Sequence, residues 1–178
     1  METANPHSSV ELFRKLETNQ YYKNAFRPII VADNLRTPEN MGAVLRLAGN
    51  IGAQMTLFVA EDPPTFKPYK IKRTASGASE KTHWKVIKPN ELTDYLPEDY
   101  QIIALETAPG AQNIYTTRLP EKMVMMVGNE LTGISPQLMT LAHKSVFIPL
   151  PGEIYSLNVT HALAIGLFEW YRQWGSYK

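Results

Sequence analysis

The sequence predicts an α/β fold: a mostly parallel sheet of about six strands flanked by helices, within a single domain covering residues 1–178. Three observations predict it. Short apolar runs recur along the chain, bounded by turn residues, as expected for strands buried on both faces. Segments with helical apolar spacing lie between them, and strands alternating with helices imply a parallel sheet covered on both sides. The length, 178 residues, suits one domain whose core needs no disulfide or metal staple.

Ser8 and Ser9 can cap a short helix through Leu16, within an N-terminal extension of residues 1–27 that is too short for a further domain. Pro28–Asp33 is the first strand. Asn40 stands where a cap is wanted for a helix over Asn40–Asn50, ended by Gly52. Gln54–Ala60 is the second strand, Glu61–Pro68 a proline-rich loop, Tyr69–Ala75 a helix and His83–Lys88 the third strand. Asn90 can cap a helix through Leu96. Gln101–Leu105 and Lys122–Val127 are strands four and five. Ser135–Ala142 is a helix opening Ser-Pro, with proline at a tolerated first-turn position. Ser145–Leu150 is the sixth strand. The last helix, Leu157–Trp174, is apolar over more than the usual stripe, so its second face needs another helix or a second subunit. A homodimer is expected.

No apolar run approaches a membrane span, and residues 1–10 lack a signal peptide's apolar core. The chain has no cysteine, which excludes disulfides, thiolate metal sites and cysteine nucleophiles and agrees with a cytoplasmic location. No metal site is expected, since the four histidines have no ligand-like spacing. The net charge is only +1, but it is unevenly spread. Lys67–Lys88 holds seven basic residues and one acid, Glu80, a balance of +6; the eleven basic and sixteen acidic residues elsewhere give −5. That segment, with Lys70, Lys72 and Arg73 in its first half, is a candidate phosphate-contacting surface. GxGxxG, GxxxxGK[ST] and GxSxG are all absent, which argues against Rossmann dinucleotide sites, P-loop NTPases and α/β-hydrolases.

Open parallel sheets bind ligands at the C-terminal ends of their strands. Three such junctions combine polar residues with glycine. The first, Asp33–Arg46, contains Asn40, Gly42 and Arg46; the helical neighbours of Arg46 are Gly42, Ala43, Gly49 and Asn50, a surface small enough for close approach by another backbone or a substrate. Interior helix glycines each cost about 1 kcal/mol, so packing or function must offset them. The second, Val127–Ser135, brackets Glu130 with Gly128 and Gly133. The third, Ile148–Asn158, ends in Ser156 and Asn158, which can cap the last helix.

In this order the junctions resemble the three signature motifs of the SpoU family of RNA ribose 2′-O-methyltransferases, within the SPOUT superfamily. Asn40, Gly42 and Arg46 in PENMGAVLRLAGNIGA match the first. Gly128, Asn129, Glu130 and Gly133 in VGNELTG match the second. Ile148, Pro149, Gly152, Ser156, Leu157, Asn158 and Val159 in IPLPGEIYSLNV match the third, and RTASGASE (Arg73–Glu80) is similar to the family segment before the third strand.

The resemblance implies a C-terminal deep trefoil knot, which base rates would not predict. It also implies S-adenosyl-L-methionine held mostly by backbone at Leu105, Thr107, Gly128, Asn129, Ile148, Leu150, Ser156 and Leu157, and a homodimer with sites near its interface. Arg46, Asn40, Glu130, Ser156 and Asn158 become the catalytic set, acting on a ribose hydroxyl of tRNA in preference to rRNA. Arginine normally stays protonated, so orienting the phosphate and ribose is a better role for Arg46 than free-base chemistry. A catalytically inactive RNA-binding module and a flavodoxin-like nucleotide binder are the alternatives; the latter fits the alternation but not the motifs.

Overall fold

The computed structural model describes residues 26–62 and 68–175; the helix expected over Ser8–Leu16 lies outside them. β1 (Ile29–Asp33), β2 (Met55–Val59), β3 (Trp84–Ile87), β4 (Gln101–Leu105), β5 (Gln112–Asn113), β6 (Met123–Val127) and β7 (Lys144–Phe147) form one sheet in the order β3-β2-β1-β6-β4-β7-β5. Every pairing is parallel, with Ile30 beside Thr56 and Met125, and Ile103 beside Met125 and Lys144. β6 therefore inserts between β1 and β4.

Seven strands replace the expected six. The addition is β5, two residues without an apolar run, held only by pairing with β7. β7 stops at Phe147 instead of Leu150, because Pro149 and Pro151 cannot donate to a ladder.

β1 shows why the sheet must be covered twice. Ile30 and Ala32 face one core with Val44, Leu45 and Leu167; Ile29 and Val31 face another with Leu57, Ile102 and Leu138. α1 (Pro38–Ile51) and α5 (Val159–Trp174) cover the first face. The second is covered by a 3-10 segment, Pro89–Tyr95, and the short helix α4 (Pro136–Met139). Asn90 caps nothing: the turn opens at Pro89, and the Glu91 carboxylate accepts the Lys88 N–H at 2.7 Å.

α1 also begins earlier than its apolar spacing suggests. Thr37 is its cap, accepting the Asn40 N–H at 3.3 Å, with Pro38 in the first turn. Gly52 closes the helix in the left-handed region at φ 65°. α2 (Pro68–Ala75) lies against α1, followed by α3 (Ala78–Lys81), a single turn. Gly42 explains the close approach: a Cβ there would stand 2.7 Å from the Ile71 carbonyl oxygen. The small surface around Arg46 receives another backbone.

Candidate active site

The C-terminal ends of β4, β6 and β7 surround an open cavity of about 270 Å³. Its walls come from three segments. Leu105, Glu106 and Thr107 follow β4; Gly128, Asn129, Glu130 and Leu131 follow β6; Ile148, Leu150, Tyr155, Ser156 and Leu157 follow β7. All eight residues expected to hold a cofactor line this one cavity, and so do Glu130 and Ser156 of the expected catalytic set.

Asn129 is 5% exposed and builds its loop. Its Oδ1 accepts the Leu131 and Thr132 N–H groups at 2.8 and 3.3 Å, and its Nδ2 donates to the Asn34 carbonyl at 2.6 Å. Its backbone pairs with Gly133 in an isolated bridge. Gly133 turns the chain at φ 68°, where a side chain would be strained. Glu130, exposed at the loop tip, accepts a hydrogen bond from Asn40 Nδ2. Because Thr37 does the capping, the Asn40 amide is available to join the first junction to the second. The cap expected of Asn40 is thus corrected.

Arg46 is elsewhere. It does not line the cavity; it is exposed on α1, with Nη1 donating to Ser76 Oγ at 3.5 Å. Six residues separate it from Asn40, about 9 Å along the axis and on a different face. Asn158 also lies outside the lining and caps α5, accepting the Thr160 N–H at 2.8 Å and its hydroxyl at 2.6 Å. The sequence places α5 from Leu157; this cap moves its start to Val159.

Two carboxylates that sequence reasoning missed stand at strand ends. Asp33, 4% exposed, accepts the Ser135 N–H at 2.7 Å. Glu106 accepts the Thr107 N–H at 2.9 Å and the Ile134 N–H at 3.0 Å. The signal was present: Asp33 ends β1 and Glu106 directly follows β4, where ligand-facing groups stand in open sheets.

The cavity is lined by Glu106 and Glu130 and, among the described residues, by no lysine, arginine or histidine. Its floor is apolar, with Leu105, Ile148, Val159 and Ala162. Such a lining favours a cationic ligand over a phosphate. Two of the cavity's lining residues, Leu131 and Tyr155, are at least 77% exposed.

Of the expected phosphate contacts, Lys70 is exposed, Lys72 pairs with Glu80 at 3.1 Å and Arg73 with Glu39 at 4.0 Å. Glu39 belongs to α1, outside the basic segment, so the fold offsets more of its charge than the local sequence suggests. Exposed pairs of this kind are weak and exchange readily for other partners. Lys67 lies outside the described residues. Within them, no group of three or more histidine, cysteine, aspartate or glutamate side chains could hold a metal, and no helix is long and apolar enough to cross a membrane.

The fold is a parallel α/β domain with an open cavity at its strand ends. A profile of the SpoU rRNA Methylase family matches residues 27–168, and the chain belongs to that family. It is 30% identical over 148 residues to a tRNA (guanosine(18)-2′-O)-methyltransferase of Aquifex aeolicus, covering 82% of this chain and 69% of the relative. It is also 30% identical over 149 residues to a 23S rRNA (guanosine-2′-O-)-methyltransferase of Xylella fastidiosa, spanning 82% of this chain but 58% of the relative's length. Among solved structures, an AdoMet-bound rRNA methyltransferase from Sinorhizobium meliloti superposes with a TM-score of 0.75 at 24% identity, over 87% of this chain and 59% of that one.

Proposed function

We propose that the chain is an S-adenosyl-L-methionine-dependent methyltransferase acting on a ribose 2′-hydroxyl of RNA, tRNA in preference to rRNA, as a cytoplasmic homodimer whose C-terminal part carries the family's trefoil knot. The observation that carries the reading is the cavity's charge: two carboxylates and no cationic side chain among its lining residues. S-adenosylmethionine is a sulfonium cation with an apolar adenine ring, and the residues present fit both features. Leu105, Ile148 and Leu150 would hold the ring, while Glu106 and Glu130 supply the negative field. Gly128 lets the returning end of its loop pack against the end of β6, because a Cβ there would overlap Gly133 and Ile134.

When bound, the cofactor supplies an electrophilic methyl group. The chain's part is to place an RNA hydroxyl beside it and hold it there, since orientation is a large share of such catalysis. Ser156 lines the cavity at the start of the segment that Asn158 fixes to α5. Asn40 and Glu130, bonded to each other, form the polar part of the rim. Arg46 is the cation for the target phosphate and ribose. A single chain does not bring it to the cavity, and the homodimer supplies it from the opposite subunit while covering the apolar rim. The tRNA preference follows the Aquifex relative, matched over the larger share of its length. An rRNA substrate is the second reading, favoured by the equal identity of the Xylella relative.

Calorimetric titration tests the charge argument directly. S-adenosylmethionine binds with one site per chain, whereas ATP and NAD⁺ do not compete with it. Binding of ATP or NAD⁺ in its place contradicts the assignment.

A further inference from the structure

Between the ends of β4 and β6 the chain passes through a narrow gap. On one side stands Gly128, where a Cβ would overlap the Gly133 carbonyl carbon and the Ile134 amide nitrogen. On the other, Glu106 closes on the same peptide. Its Oε2 accepts the Ile134 N–H at 3.0 Å and stands close enough to clash with a Cβ at Gly133. Its Oε1 accepts the Thr107 N–H at 2.9 Å. One half-buried carboxylate thus joins the segment after β4 to the returning end of the loop after β6, and both segments line the cavity.

We infer that Glu106 is a positioning residue, whose carboxylate clamps the Gly133–Ile134 peptide against Gly128 and fixes the wall that receives the methyl donor. The inference rests on the function proposed above. Both oxygens are needed, each for a different N–H. A glutamine keeps the shape but has one acceptor oxygen, and its amide nitrogen would face a backbone donor. An aspartate keeps the charge but is one methylene too short to reach across the gap to Ile134.

The test compares full-length wild type with Glu106→Gln, Glu106→Asp and Glu106→Ala. S-adenosylmethionine affinity is measured by calorimetry, RNA KM by methyl incorporation at saturating donor, and amide exchange at Thr107 and Ile134 by hydrogen exchange. In Glu106→Gln we expect donor Kd to rise about tenfold, the loss of one charge-assisted bond. Exchange at Ile134 should accelerate while β1 stays protected and RNA KM stays at the wild-type value. A merely structural residue would raise exchange throughout the sheet and lower the melting temperature without this split. If Glu106→Ala fails to fold, the isosteric Glu106→Gln carries the test. Unchanged donor affinity in all folded variants overturns the inference and removes Glu106 from the negative field assigned to it above, while donor binding by the wild-type chain keeps the proposed function standing on Glu130. A wild-type chain that binds no donor overturns both.

Discussion

Gly128 and Gly152 are glycines in neighbouring loops with opposite physical demands. A Cβ on Gly128 would overlap the backbone of Gly133 and Ile134, whereas one on Gly152 meets nothing within 4 Å. Gly128→Ala must shift main chain and should destabilise the fold by about 3 kcal/mol, abolishing donor binding as well. Gly152→Ala should stay within roughly 0.5 kcal/mol of wild type. Chemical denaturation of both variants checks the pair, and equal stabilities would refute the crowding at Gly128. The residue scale also separates binding from turnover. Arg46 does not line the cavity within one chain, so Arg46→Ala should leave donor affinity nearly intact and abolish methyl transfer. Full activity in that variant, or a lost donor site, would remove Arg46 from the mechanism.

At the scale of elements, α5 shows how its unusually apolar circumference is used. Leu163, Leu167 and Trp170 are buried against the sheet and α1. Much of the second face is covered by the chain's own segment before β6. Trp170 Nε1 donates to the Pro120 carbonyl at 3.1 Å, Trp174 Nε1 to the Leu119 carbonyl at 2.9 Å, and Gln173 Nε2 to the Thr117 carbonyl at 3.0 Å. Phe168 stays 47% exposed, a smaller face for a partner than the sequence implies. Glu169, also on α5, is buried; the hydrogen bonds from Arg172 hold its carboxyl below the usual glutamate range, and burial only partly opposes them. A lowered folded-state pKa stabilises above the unfolded value and is lost as pH falls through the folded one. Glu169→Gln should therefore cost about 1 kcal/mol near neutral pH. That difference should fade as pH drops below the ordinary glutamate value of about 4.3. Thermal melts from pH 7 to pH 3 check the sign; a difference that grows on acidification contradicts it.

Which elements were legible follows from what their sequences carry. The five core strands β1, β2, β4, β6 and β7 were legible because buried parallel strands read as unbroken apolar runs, IIVAD and MVMMV being the clearest. β5 was not, because Gln112–Asn113 owes its extended pairing to β7 alone. The α1 boundary was misplaced because apolar spacing marks where a helix packs, while its cap is set by one hydroxyl, that of Thr37. The residues that line the cavity were legible through the family resemblance, whose motifs fall in the loops after β6 and β7. Glu106 escaped because its partners, the Thr107 and Ile134 amides, are main-chain groups with no sequence signature.

For the molecule as a whole, the uneven charge has a measurable consequence. Lys70, Lys72 and Arg73 lie on α2, and the acids paired with two of them, Glu80 and Glu39, are exposed. Phosphate can replace those acids without desolvating a buried pair. Replacing all three cations by glutamine should weaken RNA binding and make the logarithmic salt dependence shallower by about 2–3 units. An unchanged slope would show that RNA docks elsewhere. If the cavity beyond β4, β6 and β7 serves methyl transfer to RNA ribose, incubating the wild-type chain with methyl-labelled S-adenosylmethionine and total RNA, then mapping the labelled nucleotides, should find label on a ribose 2′-oxygen, concentrated in tRNA and absent with Arg46→Ala. Label on a base, or in no RNA at all, would refute that role.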